Sequence, residues 1–355
     1  MSITPHPLVA AGRVPRSVIK YLGSKRLLLP RITETVAALP EVRSALDLFS
    51  GTSRVGHALK SMGLRVVAND HNAYAATLAR CYVQADRDEL LPRAETLLAE
   101  LSSLPPRDGW FTETFCRRSR YLKPENGARV EAIREAIARM GLDPELEAVA
   151  LTSLMEAADR VDSTTGLQMA YLKKWAPRAS KPLTLRVPAV LPRAEHGKGE
   201  AHERDAAELA GEVEVDVAYL DPPYNQHKYL GNYHLWETLV RWDAPEVYGA
   251  ACKRADCRER RSDFNSRRRA LDALTAVVRA VRARWMIVSF NDEGFVSREA
   301  MESLLATRGP VEVVAQPYRR YVGARIGIYN PAGERVGRVS HTENTEFLYR
   351  VGPMG

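Results

Sequence analysis

The sequence predicts an α/β fold built around a mostly parallel sheet. Three apolar runs of strand length carry this prediction, residues 43–49, 64–68 and 215–220, and each ends at a turn of small, acidic or proline residues. The first run leads through a loop rich in serine and glycine into a helical stretch at residues 58–62. Ligands of open α/β sheets bind at the carboxyl ends of the strands, so the functional site is expected where these turns meet.

Composition favours a globular protein that meets a polyanion. The chain has 355 residues, 45% of them hydrophobic, with a net charge of +7 and a pI near 9.2. A positive field of this kind raises encounter rates with nucleic acid. No segment reaches the ~20 apolar residues of a membrane span, and residues 1–17 resemble a flexible tail rather than a signal peptide. We therefore expect a cytoplasmic protein with no membrane partner.

The segment after the first strand is suited to hold a ligand. Small residues such as Gly51 let the backbone approach a bound molecule closely where a helix begins. The second strand is followed by Asp70, where a carboxylate can accept hydrogen bonds from the hydroxyls of a nucleoside ribose. A nicotinamide-binding Rossmann unit is the alternative at this point, but the loop lacks the GxGxxG pattern of those proteins.

The most informative motif is Asp221-Pro222-Pro223-Tyr224, which directly follows the apolar run at residues 215–220. The two prolines stiffen the turn and hold a carboxylate and an aromatic ring in a fixed relation. Asp221 and a backbone carbonyl, which we assign to Pro222, can accept both protons of an exocyclic amine while Tyr224 stacks on the ring that carries it. The motif therefore predicts a pocket for a flat, amino-bearing base, with a plain surface turn as the alternative.

Together these features resemble the Dam-type, or D12 class, of S-adenosylmethionine-dependent DNA adenine methyltransferases. The resemblance covers residues 19–351 and includes a Tyr-Leu-Gly-Ser-Lys motif at residues 21–25 and an Asp-Leu-Phe-Ser-Gly motif at residues 47–51. It implies S-adenosylmethionine as the cofactor, with Lys25 neutralising its carboxylate and Asp205 accepting from its adenine amine. The residues assigned to the cofactor site are Tyr21, Gly23, Lys25, Asp47, Phe49, Gly51, Asp70 and Asp205. One departure is Ser53, which stands where many members of the family have glycine.

The resemblance implies a class I methyltransferase fold, a Rossmann-like, mostly parallel seven-stranded sheet whose closing strands match residues 285–290 and 345–351. Between the cofactor loop and the Asp221 motif the chain is far longer than the roughly dozen residues of a plain crossover. We therefore predict catalytic segments at residues 18–86 and 196–355, with a largely helical target-recognition domain inserted at residues 87–195. Within it, residues 125–140 and 144–162 show apolar residues at helical spacing. This motif order is that of the family's alpha arrangement.

Basic residues in two segments are assigned to DNA contacts. Residues 171–181 of the inserted region interleave aromatic and basic side chains, a pattern that favours contacts to phosphates. Residues 253–269 carry eight basic and three acidic side chains and follow the Asp221 motif closely. The predicted DNA contacts are Lys173, Lys174, Arg178, Lys181, Lys228, Arg260, Arg261, Arg267 and Arg268. Solvated helix faces are the alternative explanation for both segments.

The resemblance implies a site-specific enzyme, acting at the nucleoid, that methylates the N6 amine of an adenine flipped out of double-stranded DNA. Restriction-modification or genome marking would be its purpose, and a cognate restriction endonuclease a further partner. A ribosomal RNA base methyltransferase and a non-catalytic DNA-binding protein are the alternatives. The four cysteines form no CxxC pair, so no metal centre is predicted. The loop after the Asp221 motif is expected to border the flipped base, with Tyr229 or Tyr233 filling the space that the base leaves or lining its pocket. His227 and His234 could be general bases, but hydrogen-bonded structural roles are favoured.

Overall fold

A computed structural model of the chain describes residues 19–319, 328–329, 335–337 and 343–353. The predicted flexible tail, residues 1–17, lies outside the described residues. Within them the chain forms a central sheet with helices on both faces and a further group of helices at one side.

The central sheet has seven strands. The strands of the described residues are β1 (Ser44–Asp47), β2 (Arg65–Asn69), β3 (Glu200–His202), β4 (Glu214–Leu220), β5 (Val247–Tyr248), β6 (Lys253–Arg254), β7 (Arg282–Asn291), β8 (Val311–Arg319), β9 (Ile328–Tyr329), β10 (Arg335–Gly337) and β11 (Glu343–Val351). The sheet order is β3-β2-β1-β4-β7-β11-β8, and the other four strands form two-stranded pairs. Neighbours from β3 to β7 run parallel, whereas β11 is antiparallel to both β7 and β8. The predicted fold class is confirmed.

All five strands predicted from the sequence are present, with shifts of at most a few residues at their ends. Strands β3 and β8 have no counterpart in the sequence prediction. β3 is only three residues long. β8 lies at the edge of the sheet and exposes part of its apolar surface, including Val314. Its sequence therefore lacks the continuous apolar run that predicts a buried strand.

Helices cover both faces of the sheet. The α-helices of the described residues are α1 (Leu29–Ala37), α2 (Arg54–Ser61), α3 (Ala73–Ala79), α4 (Arg87–Ser103), α5 (Trp110–Thr112), α6 (Pro124–Met140), α7 (Pro144–Val161), α8 (Ala206–Glu212), α9 (Tyr229–Asn232), α10 (His234–Arg241), α11 (Asp256–Glu259), α12 (Ala270–Ala280) and α13 (Arg298–Ala306). Helices α1 and α2 pack on one face through Ile32 and Leu59. Helices α8, α12 and α13 pack on the other through Leu209, Leu274 and Met301. Both cores exclude water and fix the edge where the strands end.

The region between β2 and β3 is largely helical, and the two helices predicted there correspond to α6 and α7. Gly141 ends α6 with a φ of 58°, a conformation that glycine adopts without strain. Asp143 then caps α7 by accepting a hydrogen bond from the backbone N of Leu146 at 3.0 Å. These helices share one hydrophobic core with Leu78 of α3 and Trp236 of α10. The boundaries of a separate recognition domain, residues 87 and 195, remain a prediction.

The described residues contain neither a membrane-spanning helix nor a cluster of metal ligands. No helix there combines the length and the apolar character that crossing a bilayer requires. No group of three or more histidine, cysteine, aspartate or glutamate side chains converges there as a metal site would need. All four cysteines are buried as free thiols.

Candidate active site

The carboxyl ends of β1, β2, β4 and β7 meet at one edge of the sheet, beside an open cleft of about 630 Å³. Two residues of the Asp221 motif, Asp221 and Pro223, line the cleft. The predicted cofactor-site residues that line it are Tyr21, Gly23, Lys25, Asp47, Phe49, Gly51 and Asp70. Residues from three separate motifs, distant in the sequence, thus share one site.

The Asp221 motif forms the turn that leaves β4. The Asp221 carboxylate is 21% exposed, toward the cleft, and Pro222 behind it is buried. The ring of Tyr224 lies edge-on to Phe290 of β7, with 6.2 Å between the ring centroids, and is half-buried. Packing of Tyr224 against the neighbouring strand therefore holds the turn in place. The Asp221 carboxylate is the functional group of this turn that faces the cleft.

A buried ion cluster surrounds Lys25. Its ammonium Nζ lies 2.9 Å from Oδ1 of Asp221 and 2.5 Å from Oε1 of Glu346 on β11. The hydroxyl of Ser289 donates to the same Glu346 oxygen at 2.7 Å. The Nδ2 of Asn291 lies 3.4 Å from Glu346 Oε2. The lysine is 8% exposed, so two carboxylates compensate the cost of burying its charge.

The protonation states of this cluster follow from burial and mutual charge. Burial is the largest cause that raises the pKa of Asp221, to about 6. The Glu346 carboxylate also raises this pKa, whereas Lys25 opposes the shift. Burial alone would lower the pKa of Lys25, but Asp221 and Glu346 raise it well above its usual range. Burial would raise the pKa of Glu346, yet Lys25 and the donors from Ser289 and Asn291 hold it below its usual value. Near neutral pH the cluster holds one ammonium and two carboxylates.

The loop after β1 is organised by two carboxylates. Asp47 accepts a hydrogen bond from the backbone N of Gly56 through Oδ2 at 2.8 Å. Asp70, at the end of β2, accepts one from the backbone N of Gly51 at 3.0 Å. Burial raises the pKa of Asp47 to about 7, and the nearby Asp221 and Asp70 charges add to the shift, although the bond from Gly56 opposes it. Gly51 has a φ of +52°, and a Cβ there would lie 3.3 Å from the ring of Tyr21. Glycine therefore suits both the positive φ and the close approach of this tyrosine.

Several polar atoms around the loop have no hydrogen-bond partner within the described part of the chain. Ser50 Oγ, Asn72 Oδ1 and Arg54 Nε are buried in this state, and all three residues line the cleft. Buried polar groups without partners are uncommon in proteins. A ligand with several hydroxyl, amino and carboxyl groups, such as an amino-acid nucleoside, fits this set of atoms.

Ser53 lies in the left-handed region, with φ 56° and ψ 22°, directly before α2. L-residues adopt this conformation at a cost of roughly 1–2 kcal/mol, whereas glycine adopts it freely. The departure from the family motif noted in the sequence therefore falls on a strained position. The serine side chain is fully buried in the loop, and its Oγ has no hydrogen-bond partner among the described residues.

A stack of tyrosines forms the wall beside Lys25. The ring of Tyr21 stacks on those of Tyr229 and Tyr233. The distance between ring centroids is 5.3 Å to Tyr229 and 4.5 Å to Tyr233, and the angles between the ring planes are 8° and 15°. The Tyr233 hydroxyl accepts a hydrogen bond from the backbone N of Leu22 at 2.5 Å and is buried. Tyr229 lines the cleft, so only this member of the predicted pair faces the site. Of the two histidines, His234 is buried and lies 2.9 Å from the carbonyl oxygen of Gln168, in line with a structural role.

Asp205 lies outside the group of residues that line the cleft. It is exposed and caps α8, where its Oδ1 accepts hydrogen bonds from the backbone N of Ala207 at 2.8 Å and of Glu208 at 3.4 Å. The cap satisfies amides that the first turn of a helix leaves unpaired. The predicted contact to the cofactor is therefore not part of the geometry described, and a helix-capping role accounts for this aspartate.

Three of the residues predicted to contact DNA make hydrogen bonds or ion pairs with other residues of the protein. Arg178 binds the buried Asp162 through Nε and Nη2 at 2.9 and 2.7 Å. Arg260 contacts the buried Glu237 at 2.8 Å and donates to the carbonyl of His71 at 2.6 Å. Lys228 donates to the carbonyls of Cys257 and Arg260 at 3.3 and 3.0 Å. Each of these side chains therefore binds other residues of the protein. The sequence-based prediction of phosphate contacts did not include these interactions.

The other predicted DNA contacts are exposed. They are Lys173, Lys174, Lys181, Arg261, Arg267 and Arg268. Arg267 lies over the ring of Phe295, 5.3 Å from its centroid. The two groups come from separate segments, one before β3 and one before α12, and both remain candidates for phosphate contacts.

Two residues of the site were missed by sequence reasoning. Glu346 stands in a strand that was recognised, and a carboxylate inside an otherwise apolar closing strand was the available signal. Arg54 lines the cleft one residue after Ser53 and makes no ion pair with an acidic residue of the described chain. Burial, and secondarily the charge of Arg26, lower the pKa of Arg54. A basic residue at the start of the helix after the glycine loop was its signal.

The chain is similar to known DNA methyltransferases. The family of D12 class N6 adenine-specific DNA methyltransferases matches residues 21–282. The chain is 31% identical to the Type II methyltransferase M.NlaIII of Neisseria lactamica, over 93% of the chain and 98% of that protein. It is 30% identical to the Type II methyltransferase M.FokI of Planomicrobium okeanokoites, over 85% of the chain. It is 29% identical to the modification methylase StsI of Streptococcus sanguinis, over 87% of the chain, and it spans 50% of each of these two relatives.

The chain therefore belongs to the D12 class N6 adenine-specific DNA methyltransferases. It is an enzyme that uses a methyl donor and acts on adenine in DNA, as the sequence predicted. The alternatives of a ribosomal RNA methyltransferase and of a non-catalytic DNA-binding protein are disfavoured by this membership.

Proposed function

We propose that this enzyme transfers the methyl group of S-adenosylmethionine to the N6 amine of an adenine flipped out of duplex DNA. The observation that carries the proposal is the Asp221 carboxylate, held at the end of β4 beside the cleft. When bound, the cofactor supplies a methyl group activated by a positive sulfur. The residues of the chain have to bind this donor, extract the base and orient its nitrogen.

The cofactor is assigned to the cleft between the loop after β1 and the end of β2. Asp70 is assigned to the ribose hydroxyls, although two of its contacts are already made to backbone amides, those of Gly51 and Asn72. Phe49 and Tyr21 supply apolar walls. For the cofactor carboxylate we propose Arg54 in place of Lys25, because Lys25 already has two carboxylate partners.

The target amine is assigned to Asp221. Oδ1 of this residue contacts Lys25, which leaves Oδ2 to accept a hydrogen bond from the amine. The carbonyl of Pro222 is proposed as the second acceptor and Tyr224 as the stacking ring. With both protons held by these acceptors, the nitrogen lone pair would be directed at the methyl group that the cofactor supplies when bound, and Asp221 would take the proton that the amine releases on methylation. Orientation of this kind can contribute roughly 7–11 kcal/mol, and extracting the base costs a few kcal/mol.

DNA is proposed to contact the inserted helical region and the exposed basic residues. Lys173, Lys174 and Lys181 are assigned to phosphates on one side, and Arg261, Arg267 and Arg268 on the other. Residues 87–195 are proposed to read the target sequence.

We propose a role in restriction-modification, in which methylation of a specific site protects the host DNA in the cytoplasm from a cognate restriction endonuclease. The support is that the similar proteins are named as Type II methyltransferases and modification methylases.

Methyl transfer from labelled S-adenosylmethionine tests this function. Unmethylated duplex DNA and ribosomal RNA are incubated separately with the full chain, digested to nucleosides and separated by mass. Label in N6-methyladenine from DNA alone is the expected result. Label in another nucleoside of the DNA, or confined to RNA, would refute the proposal. Protection of methylated DNA from digestion by a nuclease encoded beside the enzyme then tests the restriction-modification role.

A further inference from the structure

Glu346 lies on β11, paired in register with Asn291 of β7, at the edge of the sheet where the cleft opens. Its side chain is 5% exposed and carries a charge that burial disfavours. Donors from three other places in the chain meet it: Lys25 and Ser289 at Oε1, and Asn291 at Oε2. A carboxylate with this many donors is held in one position.

This position controls where the ammonium of Lys25 sits. Nζ is shared between Oε1 of Glu346, at 2.5 Å, and Oδ1 of Asp221, at 2.9 Å. Among the described residues, Lys25 is the ion-pair partner of the Asp221 carboxylate. The shorter distance is to Glu346, and the contact to Asp221 is made through Oδ1.

We propose that Glu346 is a positioning residue for the methylation reaction: it anchors Lys25 so that the ammonium contacts Oδ1 of Asp221 and leaves Oδ2 to the N6 amine of the target base. The inference rests on the proposed role of Asp221. Without the Glu346 charge, Asp221 is the remaining carboxylate partner of Lys25 within this cluster. The ammonium then moves onto both oxygens of Asp221 and competes with the amine for them.

The charges around Asp221 give the inference a second readout. The titratable groups that influence it are Lys25 from the N-terminal motif, Glu346 from β11, Asp47 from β1, Tyr219 from β4 and Tyr229 from α9. Glu346 is the negative group that raises the pKa of Asp221 most, next to burial. Removing its charge therefore lowers that pKa, whereas replacing it with another carboxylate does not.

The experiment compares Glu346→Gln and Glu346→Asp with the unchanged enzyme. Single-turnover methylation of duplex DNA is measured with saturating S-adenosylmethionine from pH 5 to pH 8, together with the dissociation constants of cofactor and DNA. Glu346→Gln is expected to lower the rate constant at least tenfold and to move its acid midpoint to lower pH, with both dissociation constants changed less than threefold. Glu346→Asp is expected to keep the midpoint and recover part of the rate.

Asp86→Asn serves as a matched control. Asp86 is as buried as Glu346 and lies 3.0 Å from Lys60 Nζ, in an ion pair away from the cleft. Its substitution should lower the melting temperature and leave the rate constant of the folded enzyme unchanged. If Glu346→Gln and Glu346→Asp behave like this control, with unchanged rate and midpoint, the inference is wrong. An Asp221→Asn variant that still methylates DNA at the normal rate would instead overturn the proposed function beneath it.

Discussion

Lys25 Nζ lies 2.9 Å from Asp221 Oδ1, although the two residues belong to motifs that are far apart in the sequence. The contact exists because the N-terminal turn and the end of β4 meet at one edge of the sheet. It gives Asp221 a fixed partner on one oxygen and an environment that is largely closed to water. Both properties determine how the enzyme should respond to pH.

Activity should depend on the ionisation of Asp221. Burial, reinforced by Glu346, raises the pKa of this carboxyl to about 6, so its protonated form persists to higher pH than in a free aspartate. The single-turnover rate constant is expected to be level above pH 7 and to fall toward about tenfold per unit below the pKa. Stopped reactions with saturating cofactor and DNA measure it. A rate that stays level down to pH 5 would contradict the proposed role of the carboxylate.

Arg54 should determine how the cofactor carboxylate is bound. Arg54→Gln is expected to weaken binding of S-adenosylmethionine about tenfold or more, because a charge-assisted hydrogen bond contributes roughly 1.5–3 kcal/mol. Binding of decarboxylated S-adenosylmethionine should change little in the same variant. Calorimetric titration of both ligands makes the comparison. Equal weakening of the two ligands would show that Arg54 acts on another part of the cofactor or on the loop itself.

The exposed and the engaged basic residues should behave differently. Lys174→Ala is expected to weaken DNA binding and to reduce the slope of log affinity against log salt by about 0.9, the value for one lost phosphate contact. Arg178→Ala leaves the buried Asp162 with fewer partners and should destabilise the fold by about 1–3 kcal/mol. Titrations at several salt concentrations and denaturant unfolding separate the two. An unchanged salt slope in Lys174→Ala would exclude this lysine from the DNA interface.

Ser53→Gly should stabilise the protein. The serine occupies the left-handed region at φ 56°, and glycine removes that strain at the expense of greater freedom in the unfolded chain. The net gain is expected to be about 0.5–1 kcal/mol. Ser61→Gly, in the last turn of α2, is the control and should be destabilising. Urea unfolding of both variants measures the change, and a less stable Ser53→Gly protein would show that the packing of the buried serine side chain outweighs the backbone strain.

The sheet and its motif ends were predictable because their signals are local. Apolar runs such as residues 215–220 predict strands by themselves, and Pro222 and Pro223 mark the turn that follows. Parallel strands place their carboxyl ends together, so Asp47, Asp70 and Asp221 could be expected to share one edge before any coordinates. The resemblance to a known family then connected that edge to a reaction.

Contacts between distant side chains were not predictable in this way. The ion pairs of Arg178 with Asp162 and of Glu346 with Lys25 depend on how helices and strands pack, which periodicity does not encode. Asp205 is different, because Asp205-Ala206-Ala207-Glu208 has the spacing of a helix-capping sequence. That local signal predicts the cap that the structure contains.

The most direct test of the account is Asp221→Ala. The purified variant is assayed for single-turnover methylation of duplex DNA and, in the same preparation, for the dissociation constant of S-adenosylmethionine. We expect a rate constant lowered by at least about a hundredfold, comparable to the loss of a group that stabilises the transition state directly, with cofactor affinity nearly unchanged. Normal turnover in the variant would contradict the assignment of the target amine to Asp221.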